Sequence, residues 1–322
     1  MDKRRYFFTR IANACLTLLL VASFNFVLFR IIPGDPVKAN MPRKQTTPEE
    51  YQAKLHSLGL DKPMWQQFIY YWGDLARGDF GDSFTAKRSV TQVIGEKVWP
   101  TVLLVGAGTL LATFVGIIMG VFAAWRRGGA YDVASTNMGM VFYAMPAFWF
   151  GLLLIMLFST KLGWFPSRGM TDAGSDYHGW QQIKNVAWHM TLPVFAFAIG
   201  YIGEYHLIMR NSLLGVMSED FVLTARAKGL SDNSVLWKHA FPNALLPTIT
   251  LVMMNLGFVM SGAILIETVF SWPGLGLLSY TSMQSLDYPV MQAVFMLGAV
   301  VLVLCNLIAD IMLYYFDPRV QA

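Results

Sequence analysis

The sequence predicts an all-α integral membrane protein: six transmembrane helices, with a small extracytoplasmic cap between the first and second. Three observations predict it. Hydrophobic residues make up 55% of the 322 positions and charged residues only 14%, with a mean hydropathy of +0.46, far from the balance of a soluble domain. Six stretches reach the roughly 20 apolar residues needed to cross about 30 Å of hydrocarbon. The basic residues are sorted by loop, in a way that fixes an orientation.

The N-terminal segment, 1–10, carries Lys3, Arg4, Arg5 and Arg10 ahead of an apolar run. That run is too long for a cleavable signal and lacks a small-residue cleavage site after it, so a retained first helix is expected over 11–32. The remaining spans fall at Thr101–Trp125, Ala134–Thr160, Leu192–Leu214, Thr248–Phe270 and Val290–Tyr315. Eleven basic residues lie on one side: Lys3, Arg4, Arg5, Arg10, Arg126, Arg127, Arg210, Arg226, Lys228, Lys238 and Arg319. The short loops opposite hold only Lys161, Arg168 and Lys184. By the positive-inside rule both termini are expected in the cytoplasm. Residues 33–100 form a long outer loop whose nine basic and eight acidic residues nearly cancel. Within it, Met64 to Trp72 carries aromatics at helical spacing and ends at Gly78, a helix-stop signal, which predicts a folded cap. Trp65, Phe68, Tyr70 and Tyr71 are candidates to contact a partner protein or gate the outer mouth, or equally to fill the cap's own core. In the second span, Gly116 and Gly120 form a small-xxx-small pair suited to close helix packing.

The most informative segment is the cytoplasmic connection between the fourth and fifth spans. Ser218-Glu219-Asp220 supplies a cap and acidic first turn, Lys228 suits the negative pole, and Gly229 can take the left-handed terminating conformation. Phe221, Ala225 and Lys228 fall on one face. A second capped segment is expected from Ser231, stopped at Pro242, with Pro247 leading into the fifth span. Such a compact helix suits docking in another protein's groove, and equally suits lying on the membrane or packing internally.

Other chemistry is thinly represented. No Gly-Lys-Ser or Gly-Lys-Thr phosphate loop occurs. His56, His178, His189, His206 and His239 are scattered without ligand spacing, so no metal site is expected. Cys15 and Cys305 sit in apolar runs and read as small hydrophobes. Basic residues cluster beside spans instead of forming a stripe interleaved with aromatics, which argues against nucleic acid. Arg30 and Arg210 lie near helix ends, where snorkelling is expected. Glu204, His206, Glu267 and Asp310 lie within or near spans, where a proton relay, interhelical hydrogen bonds or a wet pore would each use them. A secondary transporter or a membrane enzyme would need a midplane ion site or a catalytic constellation.

Leu223 to Pro242 resembles the EAA motif of permease subunits of binding-protein-dependent ABC importers. Ala225, Gly229 and Pro242 match, while Leu223, Thr224, His239 and Phe241 depart from its Glu, first Ala, Ile and Leu. Thr224 to Leu230, with Lys238-His239-Ala240 and Asn243-Ala244-Leu245, is similar to the dipeptide and oligopeptide permease branch. Pro33-Gly34-Asp35-Pro36, Leu58 to Pro63, Gly78-Asp79-Phe80-Gly81, Glu267 to Gly276 and Asp317-Pro318-Arg319 extend the resemblance along the chain.

The resemblance implies a type I ABC importer permease fold, with a core permease domain over 101–322 and a coupling loop at 215–247. It implies a multi-pass pore subunit in a bacterial or archaeal plasma membrane. Its partners would be a second related permease subunit, two ATPase subunits and an extracytoplasmic solute-binding protein, within membrane lipids. ATP and magnesium would sit on the ATPase partners, this chain binding no cofactor and catalysing no reaction. Phe221, Thr224, Ala225, Arg226, Lys228, Gly229 and Pro242 would transmit ATPase motion. Peptides are the expected cargo, with nickel chelates, glutathione and oligosaccharides as alternatives within the same branch.

Overall fold

The computed structural model describes residues 3–31, 47–57, 59–257 and 263–316. Pro33–Pro36, Leu58, the stretch 258–262 of the fifth expected span and Asp317–Arg319 lie outside the described residues. Among those described, every named element is helical, and the only strand-like pairing is one isolated bridge between Asp82 and Ser89. Five helices are long and apolar enough to cross a membrane, and a bent pair makes a sixth crossing when counted as one.

Helix α1 covers Lys3–Ile31. It packs along the last helix, α12 (Tyr288–Phe316), with Tyr6 and Tyr314 rings 4.9 Å apart and Phe29 and Tyr288 rings 5.9 Å apart. The cap holds α2 (Pro48–Ser57) and α3 (Met64–Arg77). Thr47 and Glu50 begin α2 with a reciprocal capping box: the Thr47 N–H donates to Glu50 Oε2 at 3.1 Å, and the Glu50 N–H to Thr47 Oγ1 at 3.2 Å. Gly78 ends α3 at φ 71°, where its N–H closes on the carbonyls of Asp74 and Leu75.

The second crossing, α4, spans Val90–Trp125 and starts eleven residues before the Thr101 expected from hydropathy. Pro100 lies inside it and does not start it. A proline removes one helical hydrogen bond, but here burial of Val90, Val93 and Ile94, with Val90 and Ile94 packed on Leu275, Val290 and Val294, holds the early turns. The fourth crossing, α7 (Trp180–Met217), likewise begins twelve residues before Leu192 and runs through Pro193. Its early turns are too polar to score as a span, yet Val186 and Met190 face the core.

The expected third span is broken. Helix α5 (Ala130–Ala144) and α6 (Ala147–Leu154), extended to Lys161 by a wide i→i+5 turn, meet at 98° across Met145 and Pro146. Pro146 explains the break, because a residue before proline is pushed out of the helical region, and Met145 is extended at φ −81°, ψ 128°. Helix α8 (Asp220–Ala227) is short, and α9 runs from Asp232 to Gly257. Pro242 does not stop it: the chain opens into a wide turn over Val235–Ala240, then continues as an α-helix from Phe241. The fifth crossing therefore begins well before Thr248, and α10 (Ile264–Val269) and α11 (Leu275–Gln284) follow as separate short helices.

The centre of the molecule is α4 against α7. A Cβ added to Gly116 would lie 2.7 Å from Tyr205 Cβ, and one added to Gly120 would lie 2.7 Å from the His206 carbonyl. Only glycine lets these backbones approach so closely, which accounts for the pair read in the sequence.

Candidate functional site

The loop helix α8 sits at the end of this α4–α7 core. Glu219, extended at φ −77°, ψ 148°, precedes its first turn without a side-chain cap bond. The expected cap, Ser218, instead donates its hydroxyl to the Gly215 carbonyl at 2.7 Å and closes α7. Gly229 takes φ 76° as expected, with its N–H on the Arg226 carbonyl at 2.9 Å. Ser231 then caps α9, its hydroxyl accepting from the Ser234 N–H at 3.4 Å.

The faces of α8 divide differently from the sequence reading. Val222 and Ala225 turn inward, 0% and 5% exposed, onto Val121 and Ala124 of α4, Met209 and Leu213 of α7, and Val235 and Leu236 of α9. Removing the Val222 side chain from water contributes about 2 kcal/mol to holding the helix there. Phe221 does not share Ala225's face: it is 41% exposed, beside exposed Leu223, and Leu230 and Trp237 are exposed nearby in sequence. Thr224, Arg226, Lys228 and Gly229 also face outward, as does Pro242 on α9. The Thr224 hydroxyl returns to the Asp220 carbonyl at 2.9 Å, and Arg226 reaches Asp232 at only 3.8 Å on the surface. The residues singled out for coupling thus fall into one inward anchor, Ala225, and an outward set led by Phe221. Spacing alone gave the shared faces of a helix but not which face meets the core.

Beside α8, Arg210 does not simply snorkel. Its Nε and Nη2 donate to the two Asp132 carboxylate oxygens at 2.5 and 2.8 Å, and Asp132 also accepts the Gly128 N–H at 2.9 Å. The fork ties the α4–α5 turn to α7 with side chains 20% and 4% exposed. Sequence reasoning missed Asp132, whose partner lies 78 residues away.

The opposite end is held by buried carboxylates. Glu267 is fully buried on α10, accepting from the Thr101 hydroxyl at 2.7 Å and from the Leu277 N–H at 3.0 Å in the first turn of α11. The Leu275 N–H donates to the Thr101 hydroxyl at 2.7 Å, and Trp272 Nε1 donates to the Pro100 carbonyl at 2.8 Å. The Glu267–Gly276 stretch is therefore a knot in which a carboxylate sits at a helix start, where the dipole favours negative charge. Asp287, buried before α12, accepts from Ser83 Oγ at 2.5 Å and from the N–H groups of Phe84 and Thr85 at 3.1 and 3.0 Å. A lone aspartate in a loop gave no sequence signal of this. The other charged residues noted near spans have local partners: Asn255 donates to Glu204 at 3.2 Å, and Arg10 meets Asp310 at 3.2 Å. His206 is fully buried where Gly139 of α5 approaches α7.

The cap aromatics split. Phe68 and Tyr71 pack on Phe26 of α1, with ring centres 5.2 and 5.4 Å apart, whereas Trp65 and Tyr70 are 62% and 55% exposed. Arg30 does not snorkel freely either, since its Nε donates to Gln67 Oε1 of α3 at 2.8 Å. Among the described residues no three His, Cys, Asp or Glu side chains converge as a metal site would require.

A polytopic helical core with a short helix on one end is the architecture of a membrane component, and the chain belongs to the family of binding-protein-dependent transport system inner membrane components. That family's model matches residues 116–322, and a companion model of the N-terminal part of such components matches 3–105. The chain is 37% identical over 319 residues to the di/tripeptide transport system permease protein DppB of Pseudomonas aeruginosa (strain UCBPP-PA14), covering 95% of each. It is 35% identical to the oligopeptide transport system permease protein AppB of Bacillus subtilis (strain 168), covering 98% of this chain and 99% of the relative. It is 34% identical to the dipeptide transport system permease protein DppB of Escherichia coli (strain K12), covering 98% of both. Among solved structures, a chain of the inward-facing MetNI methionine ABC transporter superposes with a TM-score of 0.52 at 17% identity, over 70% of this chain and 97% of that one. That likeness is one of fold.

Proposed function

We propose that this chain is one half of the pore of an ATP-driven importer of di- and oligopeptides. Its termini are cytoplasmic, it pairs with a second related permease subunit, and two ATPase subunits and an extracytoplasmic solute-binding protein complete the machine. Similarity along nearly the whole chain to permeases named for peptide transport supports the cargo. The observation that carries the mechanism is the two-faced α8, anchored inward by Val222 and Ala225 and bare outward at Phe221 and Leu223. An ATPase groove closing on Phe221 would move α8, and with it the ends of α4 and α7 on which α8 is seated. ATP hydrolysis belongs to the partners, and this chain converts their closure into helix tilt.

The test is uptake of a labelled short peptide into proteoliposomes holding this chain with its co-encoded partners and binding protein. Uptake is expected to require both ATP and the binding protein. Phe221→Ala is expected to cut uptake about tenfold while changing stability by less than about 0.5 kcal/mol, because the side chain is exposed. ATP hydrolysis stimulated by the binding protein without peptide uptake would redirect the cargo to nickel chelates, glutathione or oligosaccharides. Uptake driven by an ion gradient without ATP would overturn the reading in favour of a secondary transporter.

A further inference from the structure

The cap borders an open cleft of about 500 Å³ between the end of α1, one face of α3, the loop after Gly78 and the start of α12. Its volume is in the range of small-molecule sites, and nothing in the coupling mechanism uses it. Helix α3 lays one face along it: Gln67, Tyr70, Tyr71 and Asp74 stand at i, i+3, i+4 and i+7, and all four line the cavity.

The charges along that face are sorted. Near its beginning stand two cations, Lys62, with Nζ 4.1 Å from the centre of the Tyr70 ring, and Arg30, held by Gln67 Oε1 at 2.8 Å. Near its end stand the carboxylates of Asp74 and Asp79, and Asp82 also lines the cavity. Gln67, which holds Arg30, and Asp74 are separated by about 10 Å of helix rise, whereas the Lys62 ammonium lies over Tyr70, about 6 Å of rise from Asp74. The termini of an extended tripeptide are separated by about the larger distance, three residues at roughly 3.4 Å each. Between the poles the walls are tyrosine rings, which accept apolar side chains without selecting among them.

We propose that this cavity is a peptide subsite of the permease chain itself, taking a free-ended peptide of about three residues with its carboxylate toward Lys62 and Arg30 and its ammonium toward Asp74 and Asp79. The assignment rests on the peptide reading above and adds a place where cargo pauses on the outer side, between the binding protein and the pore. Charge-assisted bonds at both ends recognise the backbone termini common to all peptides. Side-chain sequence is left unread.

The experiment uses the assembled complex in nanodiscs without binding protein and with trialanine as the probe. A cysteine is placed in the cavity as Leu75→Cys, with Leu60→Cys as an independent second position, and is labelled by a membrane-impermeant maleimide. The native Cys15 and Cys305 lie within the membrane helices α1 and α12. Saturating trialanine is expected to slow labelling about fivefold. N-acetyl-trialanine amide, which lacks both charges, is expected to give no protection, and adding Lys62→Gln or Asp74→Asn to the Leu75→Cys background is expected to weaken the trialanine concentration dependence about fivefold per ionic end. Equal protection by the blocked peptide, or no protection by trialanine, would each overturn the subsite. Labelling is read without transport, so its outcome is independent of uptake. A wild-type complex that takes up no peptide with ATP overturns the importer reading instead.

Discussion

The two ends of this molecule are held by different physics. At one end, α8 is seated by small apolar side chains, Val222 and Ala225, on the ends of α4, α7 and α9. On the other side, the loops are pinned by two buried carboxylates, Glu267 and Asp287, each accepting hydrogen bonds from groups distant in sequence. Apolar contact is non-directional, so the seat of α8 is fixed by close packing and not by the geometry of any one bond. A carboxylate with its lone pairs filled by fixed donors has one good geometry. The contrast sets a packed seat at α8 against a hydrogen-bonded frame at Glu267 and Asp287.

The comparison can be broken most forcefully at the frame. Glu267→Ala strands the Thr101 hydroxyl and the Leu277 N–H in a fully buried site, which is expected to cost about 3 kcal/mol. It should appear as a lower thermal midpoint of the purified complex, with Glu267→Gln recovering part of the loss. Asp287→Ala is expected to cost about 2 kcal/mol and to raise hydrogen exchange first at Phe84 and Thr85. If both variants are as stable as the wild type, the rigid-frame description is wrong.

At the seat, Ala225→Leu overpacks the junction of α8 with α4 and α7 at about 1–2 kcal/mol. The complex should still insert and assemble. The signature is a ratio: ATP hydrolysis persists while peptide uptake falls several-fold. Gly229, at φ 76°, supplies a second route, because valine there strains the turn after α8 and should give the same split. Normal uptake in both variants would remove α8 from the mechanism.

The smallest expected effect lies in the cap. His56 Nδ1 and Asp61 Oδ2 are 2.6 Å apart, and that hydrogen bond holds the Asp61 carboxyl below its ordinary value of 3.8. A depressed folded value stabilises the cap above the unfolded pKa, and the contribution disappears as pH falls through the folded one. Exchange of the turn between α2 and α3 should therefore rise only below about pH 4 and should be flat from pH 5 to 8.

Much of the fold was legible in the sequence because hydropathy reports what lipid demands. The positions of five long crossings follow from it. Their ends did not, since Val90–Trp99 is polar but held by buried Val90, Val93 and Ile94, and Trp180–Thr191 is helical although mostly exposed. The break at Pro146 was hidden inside a run apolar enough to read as one span. For α8, the cap grammar found the helix and its glycine stop, but periodicity assigns residues to faces without saying which face is buried, so Phe221 and Ala225 were placed together. The carboxylate hubs were the least legible, because a hydrogen-bonded hub such as Asp287 is defined by partners about 200 positions away.

The bend at Met145 and Pro146 also concerns the lipid. Helix α5 has 15 residues and rises about 22 Å, short of the roughly 30 Å of a typical hydrocarbon layer. The half that follows leaves at 98°, so it adds little height. On this flank the protein offers the bilayer a span thinner than the bilayer itself, and acyl chains beside it must shorten or splay. Hydrophobic mismatch of this kind costs fractions of a kcal/mol per ångström. Acyl-chain length thereby becomes a variable of this helix pair, with shorter-chain bilayers favouring the bent form.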